Sequence, residues 1–190
     1  MTQPNEVLKP GDALLIVDVQ NDFCPGGALP IEEGDKVVSV INPWIEAARE
    51  KGVPVYASRD WHPVGHVSFS EQGGDWPPHC VQDTPGAAFH KDLNLPPNTM
   101  VVTKGVRFDQ DQNSAFDQTG LAEEFRRSGI HRVFVAGLAL DVCVQATVID
   151  ALAQGFETLV LLSATRPVTE EGGRIAVENM KKAGAVIYDQ

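Results

Sequence analysis

The sequence predicts a three-layer α/β/α fold on a doubly wound, mainly parallel six-stranded sheet, and three observations predict it. Short apolar runs recur along the chain (LLIV, VPVY, MVV, VFVA, TLVLL, AVIY), and strands buried on both faces of a parallel sheet read this way. Between them lie segments whose apolar residues return every three or four positions, the period of a helix with one buried face. Strands and helices that alternate along a chain connect by right-handed crossovers, which pair the strands in parallel.

Taken in order, residues 13–19 (ALLIVDV) form the first strand, broken in its apolar character only by Asp18. The turn-rich loop QNDFCPGGALP follows. Residues 35–51 have helical periodicity at Val37, Val40, Ile41, Ile45 and Ala48, and Gly52 is a sound stop. Pro43 lies inside that pattern, so a kink or break is expected there. Residues 53–58 (VPVYAS) give the second strand. Residues 59–98 then form a long stretch rich in Gly and Pro, of a length that compact domains seldom carry without a function for it. Residues 100–103 (MVVT) are a third strand, 121–128 a helix, and 132–136 the fourth strand. After Gly137 the chain turns into a helix with Val144, Val148, Ala151 and Leu152 on its apolar face. Residues 158–162 are the fifth strand, 170–183 a helix closed by Gly184, and 185–188 the last strand. The whole of 1–190 reads as one domain with an insertion at about 59–98.

Bulk properties narrow the function. A net charge of −11 excludes the basic footprint of nonspecific nucleic-acid binding. No apolar run is long enough to span a bilayer, and the start MTQPNEVLKPGD is not a signal peptide, so a cytoplasmic protein is expected. Three cysteines without CxxC spacing (Cys24, Cys80, Cys143) indicate neither a disulfide framework nor a zinc ribbon. The glycine-bearing turns do not spell GxGxxG, which argues against a dinucleotide site.

Asp18, Lys104 and Cys143 each follow an apolar strand. In a doubly wound sheet those carboxyl ends open onto one crevice. A carboxylate there can take a thiol proton, and a lysine can lower the thiol pKa and stabilise developing negative charge. Cys143 at a strand-to-helix seam is expected to be shifted toward thiolate by the free N–H groups of the helix start. Asp60, His62, His66 and His79 cluster in the long loop and are donors suited to Zn²⁺, Fe²⁺ or Mn²⁺.

The segments LLIVDVQNDFCPGGALP, DWHP, WPPHC, VTKG and AGLALDVCVQATVIDAL, in that order, resemble the nicotinamidase/pyrazinamidase family of the isochorismatase-like cysteine hydrolases. The likeness runs from about residue 12 to the end of the chain. It implies the isochorismatase-like hydrolase fold and a metal-dependent amidohydrolase that converts nicotinamide and water to nicotinate and ammonia, and accepts pyrazinamide. The reaction would pass through a thioester on Cys143. By the same resemblance Asp18, Lys104 and Cys143 fall on the catalytic triad, Leu138–Ala139 on a cis peptide, and the N–H groups of Ala139 and Cys143 on an oxyanion hole. Asp60, His62 and His79 fall on the ligands of one divalent transition metal, zinc first among the candidates, with His66 as a further ligand in some members. Phe23, Leu29 and Trp76 match walls of the substrate pocket.

Two positions depart from the family pattern. Asn113 stands where tyrosine is usual, with Phe108 as a candidate replacement for the lost ring contact. Leu140 stands where threonine is usual and has no hydroxyl to donate. The competing readings are an amidohydrolase of another small carboxamide or ureide, and a non-catalytic metal- or ligand-binding relative. The expected partners are a small carboxamide and further copies of the chain, with no nucleic acid and no membrane.

Overall fold

The structure, a computed structural model, describes residues 4–189. Its six strands are β1 (Asp12–Val17), β2 (Val55–Asp60), β3 (Met100–Lys104), β4 (Arg132–Leu138), β5 (Glu157–Arg166) and β6 (Val186–Tyr188). They form one sheet in the order β3-β2-β1-β4-β5-β6, and every neighbouring pair is parallel. The helices are α1 (Pro4–Val7), α2 (Val37–Lys51), α3 (Leu121–Arg127), α4 (Gln145–Ala153) and α5 (Glu170–Ala183). Strand order reverses between β1 and β4, the place where open sheets of this kind bind ligands.

Alternation along β1 shows why the sheet is covered on both faces. Leu14 and Ile16 pack into one core with Ile41, Trp44 and Ala48 of α2. Ala13, Leu15 and Val17 pack into the other with Phe125 of α3, Val148 of α4 and Met180 of α5. All six residues of β1 are buried, and each such Leu or Ile contributes about 1.5–3 kcal/mol of apolar burial. The amino ends of β1 and β4 are joined by Arg132, whose Nε and Nη2 each donate to the Asp12 carboxylate at 2.7 Å.

Three sequence expectations change. Helix α2 runs unbroken through Pro43. The residue one turn earlier, Ser39, is exposed, so water can satisfy the carbonyl that proline leaves without a donor. Strand β2 begins and ends two residues later than the apolar run suggests, and its polar last residues Arg59 and Asp60 pair with Thr103 and Lys104. Strand β5 is twice the expected length and extends to Arg166. Among the described residues no helix is long and apolar enough to cross a membrane.

The insertion between β2 and β3 is ordered by short-range structure. It carries two 3₁₀ turns (Ser70–Gln72 and Pro85–Ala87) and isolated bridges that pair His62 with Val81 and Phe69 with Trp76. Two buried side chains tie it to the sheet. Gln20 donates to the carbonyls of Asp60 and Ala87 and accepts the Asp60 N–H. Asp22 accepts the N–H groups of Ala28 and Cys80.

Candidate active site

Strand register builds the centre of the site. Asp60 and Lys104 are directly opposite on β2 and β3. Val17 pairs with Ser58 on one side and Gly137 on the other, which sets Asp18, the next residue, between the ends of β2 and β4. Asp18 adopts φ of 47°, a left-handed conformation unusual for a non-glycine residue. Lys104 is fully buried and reaches both carboxylates: its Nζ lies 2.7 Å from Asp18 Oδ2 and 2.6 Å from Asp60 Oδ1. It also donates to the Gln112 carbonyl at 3.3 Å and to Cys143 Sγ at 3.5 Å.

Asp18 uses its oxygens unequally. Oδ1 accepts the Ser58 hydroxyl at 2.6 Å. Oδ2 is close to the lysine ammonium but lacks a well-aligned hydrogen-bond donor, so it keeps a lone pair for another proton. The Cys143 sulfur and carboxylate oxygens of Asp18 and Asp60 all lie within 4.8 Å of one another. Burial pushes the Asp18 carboxyl above its ordinary value, opposed by Lys104 and reinforced by Asp60. Burial likewise disfavours charge on Lys104, but the two facing carboxylates outweigh it and hold the ammonium protonated.

The nucleophile candidate corrects one expectation. Cys143 lies in a five-residue π-helical turn, Leu140–Val144, that leads into α4. It is buried, and burial pushes its thiol well above the usual range. Lys104 works against that shift, while Asp18 and Asp60 add to it. Desolvation thus opposes the shift toward thiolate that the helix start and lysine favour. The carboxylates of Asp18 and Asp60 each bring an oxygen within 4.8 Å of the Cys143 sulfur. The peptide bond from Leu138 to Ala139 is cis, and the Ala139 carbonyl accepts the N–H groups of Val142 and Val144. The other thiols, Cys24 and Cys80, are also buried, and burial raises Cys24 to about 11.

Beside this cluster, donor atoms of Asp60, His62 and His79 lie within 4.8 Å of one another, all on buried residues. Two of the imidazoles are oriented by carbonyls: Nδ1 of His62 faces the Gly105 carbonyl and Nδ1 of His79 the Pro77 carbonyl, each at 2.8 Å. A carbonyl only accepts, so Nδ1 carries the hydrogen and Nε2 presents its lone pair, the usual support of a metal-binding histidine. Burial, together with His79 and His66, lowers His62 to about 3, which keeps it neutral and able to donate that pair. His66 Nδ1 meets the Ser68 hydroxyl at 2.8 Å and the Ser68 N–H at 3.3 Å, and its Nε2 is buried without a partner. Phe69 stands edge-on to the rings of His62 and His66. Gly105, at φ of +68°, packs so close that a Cβ there would strike the His62 ring. This donor set, one buried carboxylate and two buried imidazoles oriented by carbonyls, fits a divalent transition metal.

A small, partly open pocket of about 30 Å³ joins the two clusters. Phe23, Leu29, Trp76 and Asn113 all line it, along with Asp60, His79, Asp111, Val142 and Cys143. Phe23 also packs on His79, with ring centroids 5.5 Å apart. Asn113 Oδ1 is 3.9 Å from Cys143 Sγ. Phe108 is elsewhere: it is 82% exposed, because its loop turns it to solvent, so it does not replace a ring contact. Ser58, Gln20, Gln112 and Asp111 are absent from the sequence reading. Ser58 does lie in the predicted second strand, but only the register with β1 reveals that it faces Asp18.

Fold and site together define a hydrolase of the α/β/α class with a buried thiol at the switch point of its sheet. Residues 12–190 match the model of the isochorismatase domain. The nicotinamidase of Escherichia coli (strain K12) is 39% identical over 202 residues, covering 94% of this chain and 95% of that one. The pyrazinamidase of Pyrococcus horikoshii, solved in complex with zinc, superposes with a TM-score of 0.92 at 44% identity, over 95% of this chain and all of that one. PnC1 from L. infantum, solved in complex with nicotinate, gives a TM-score of 0.87 at 37% identity, over 94% of this chain and 92% of that one. The chain belongs to the isochorismatase family, on the branch of its nicotinamidases and pyrazinamidases.

Proposed function

We propose that the protein is a metal-dependent cysteine amidohydrolase that converts nicotinamide and water to nicotinate and ammonia, and acts likewise on pyrazinamide. The observation that carries this reading is the placement of Cys143 Sγ within 4.8 Å of a carboxylate oxygen of Asp18, beside a pocket that also touches Asp60 and His79. The names of the relatives support the substrate: a nicotinamidase, a pyrazinamidase and a protein in complex with nicotinate.

In this mechanism Asp18 Oδ2 takes the Cys143 thiol proton as sulfur attacks the carboxamide carbon. The oxygen of the tetrahedral adduct is received by the N–H groups of Ala139 and Cys143, and Lys104 offsets the negative charge of the cluster. Asp18 then returns the proton to nitrogen, the C–N bond breaks, and ammonia leaves a thioester on Cys143. Water attacks that thioester with Asp18 as base. The acid is released as the proton goes back to the Cys143 sulfur. Phe23, Leu29, Trp76 and Asn113 form the walls for the ring. Asp60, His62 and His79 would hold the divalent cation, zinc first, with His66 adjacent; when bound it supplies a Lewis-acid contact for a heteroaromatic nitrogen.

The decisive assay is ammonia release from nicotinamide and from pyrazinamide by the zinc-loaded protein and by Cys143→Ala. The expected loss is about 10⁴-fold or more, as for other nucleophile deletions, with zinc content and melting temperature kept. A Cys143→Ala variant that turned over at a comparable rate would sink the covalent route. Wild-type protein inert toward both amides would sink the substrate assignment.

A further inference from the structure

The loop from β3 to α3 brings to the site a carboxylate that the reaction does not use. Gln112, 3% exposed, anchors this loop. Its side-chain oxygen accepts the Gly105 N–H at 3.1 Å, its amide donates to the Asp117 carbonyl at 2.7 Å, and its backbone carbonyl accepts from Lys104. With Gln112 turned inward, the residues on either side of it, Asp111 and Asn113, both reach the pocket wall. Asn113 goes to the thiol. Asp111 goes to the imidazoles: one of its oxygens and ring nitrogens of His62 and His66 lie within 4.8 Å of one another.

This second cluster is short of positive charge. Asp111 accepts the Gln112 N–H through Oδ1 at 2.9 Å, and no lysine or arginine among the described residues forms an ion pair with it. His66 is 2% exposed and its Nε2 has no partner. A half-buried carboxylate facing two buried imidazoles, with no lysine or arginine paired to it, is a donor arrangement that a divalent cation can join. We propose that Asp111 is a loop-side donor to the divalent cation held by Asp60, His62 and His79, with His62 common to both clusters and His66 beside it. The inference rests on the metal reading above and extends it. Cation binding then fixes the loop, and with it the Asn113 carboxamide at the nucleophile.

Zinc titration in competition with a chromogenic chelator tests this on four proteins: wild type, Asp60→Ala, Asp111→Asn and Asp109→Asn. Wild type is expected to bind one equivalent, and Asp60→Ala to lose it. Asp111→Asn is expected to bind about 10–100-fold more weakly. Asp109→Asn makes the same charge change on the same loop, where Asp109 pairs with Arg107, and is expected to leave affinity unchanged. Amide exchange at residues 112–114 should slow on zinc addition in wild type and not in Asp111→Asn. An Asp111→Asn protein with wild-type affinity and zinc-dependent protection overturns the role of Asp111 alone. Equal weakening in Asp109→Asn reduces it to net charge and also overturns it. No zinc binding by wild type removes both the metal reading and this one.

Discussion

Lys104 is the residue on which the site depends most. A fully buried ammonium is expensive to desolvate, and the two carboxylates at 2.6 and 2.7 Å do most to compensate for it. It joins Asp18, the proposed base, to Asp60, a proposed metal donor, through one atom, so on that reading Asp60 has two roles and its removal would strip lysine of a partner as well as the metal of a ligand. Sequence reading found Asp18, Lys104 and Cys143 because each follows an apolar run. It could not find Ser58, whose role exists only through the register of β1 with β2. That role gives a prediction with a definite sign. Burial already raises Asp18 above its ordinary 3.8, and the Ser58 hydroxyl pulls it down. A base must be ionised, so the acid limb of kcat/KM should lie above the usual aspartate range, and Ser58→Ala should move it to still higher pH. The same variant should lose stability, on the order of 1–3 kcal/mol, at pH values where Asp18 is charged. It should lose less in acid, because a carboxyl with a raised folded pKa favours the native state while it is protonated. Superimposable pH profiles for the two proteins would show that the hydroxyl does not tune the base.

At the scale of elements, the passage from β4 through the π turn into α4 is the most constrained part of the chain. Gly137 has φ of +118°, and a Cβ there would fall on the Val17 carbonyl of the neighbouring strand. Asp141, inside the turn, accepts the N–H groups of Val168 and Thr169 at 2.8 and 3.3 Å, which fastens the turn to the start of α5. Gly137→Ala should therefore push β1 and β4 apart at the residue preceding Asp18. We expect a cost of about 2–4 kcal/mol, which for a chain of this size lowers Tm by roughly 5–15 °C. The rate of ammonia release should fall with it. A thermal melt within a degree of wild type would mean that β4 has room that the geometry denies. The strands and helices were legible here because their apolar periods are strong, and Gly137 marked a sharp bend. The π turn was not, since its residues LDVCV carry the same pattern as an α-helical start. The polar ends of β2 and β5 were hidden for a similar reason: Arg59, Asp60 and Arg166 pair in the sheet through their backbone, while their polar side chains read as loop.

Across the whole molecule, a rigid sheet holds one set of reacting groups and a long, irregular insertion holds the other. The sheet side has two apolar cores to stabilise it. The insertion has little of that, and it relies on Gln20, Asp22 and the packing of Phe69 among imidazoles. His62 and His79 are buried with Nδ1 committed to carbonyls, which leaves their Nε2 lone pairs to find a use, so the energetic case for a cation is made by the fold as much as by the chemistry. Binding that favours only the folded state stabilises it by about 2.7 kcal/mol at a free-ligand concentration 100 times Kd. At roughly 2–4 °C per kcal/mol for 150–250 residues, zinc-loaded protein should melt about 5–10 °C above protein stripped with a chelator. Limited proteolysis of the stripped form should begin between residues 61 and 99, where the backbone has the fewest sheet bonds to lose. Asp60→Ala should melt at one temperature with or without zinc, since the shared donor is gone. If stripped and loaded wild type melt together and are cut at the same rate, the insertion is held without a metal, and the histidines owe their burial to packing alone.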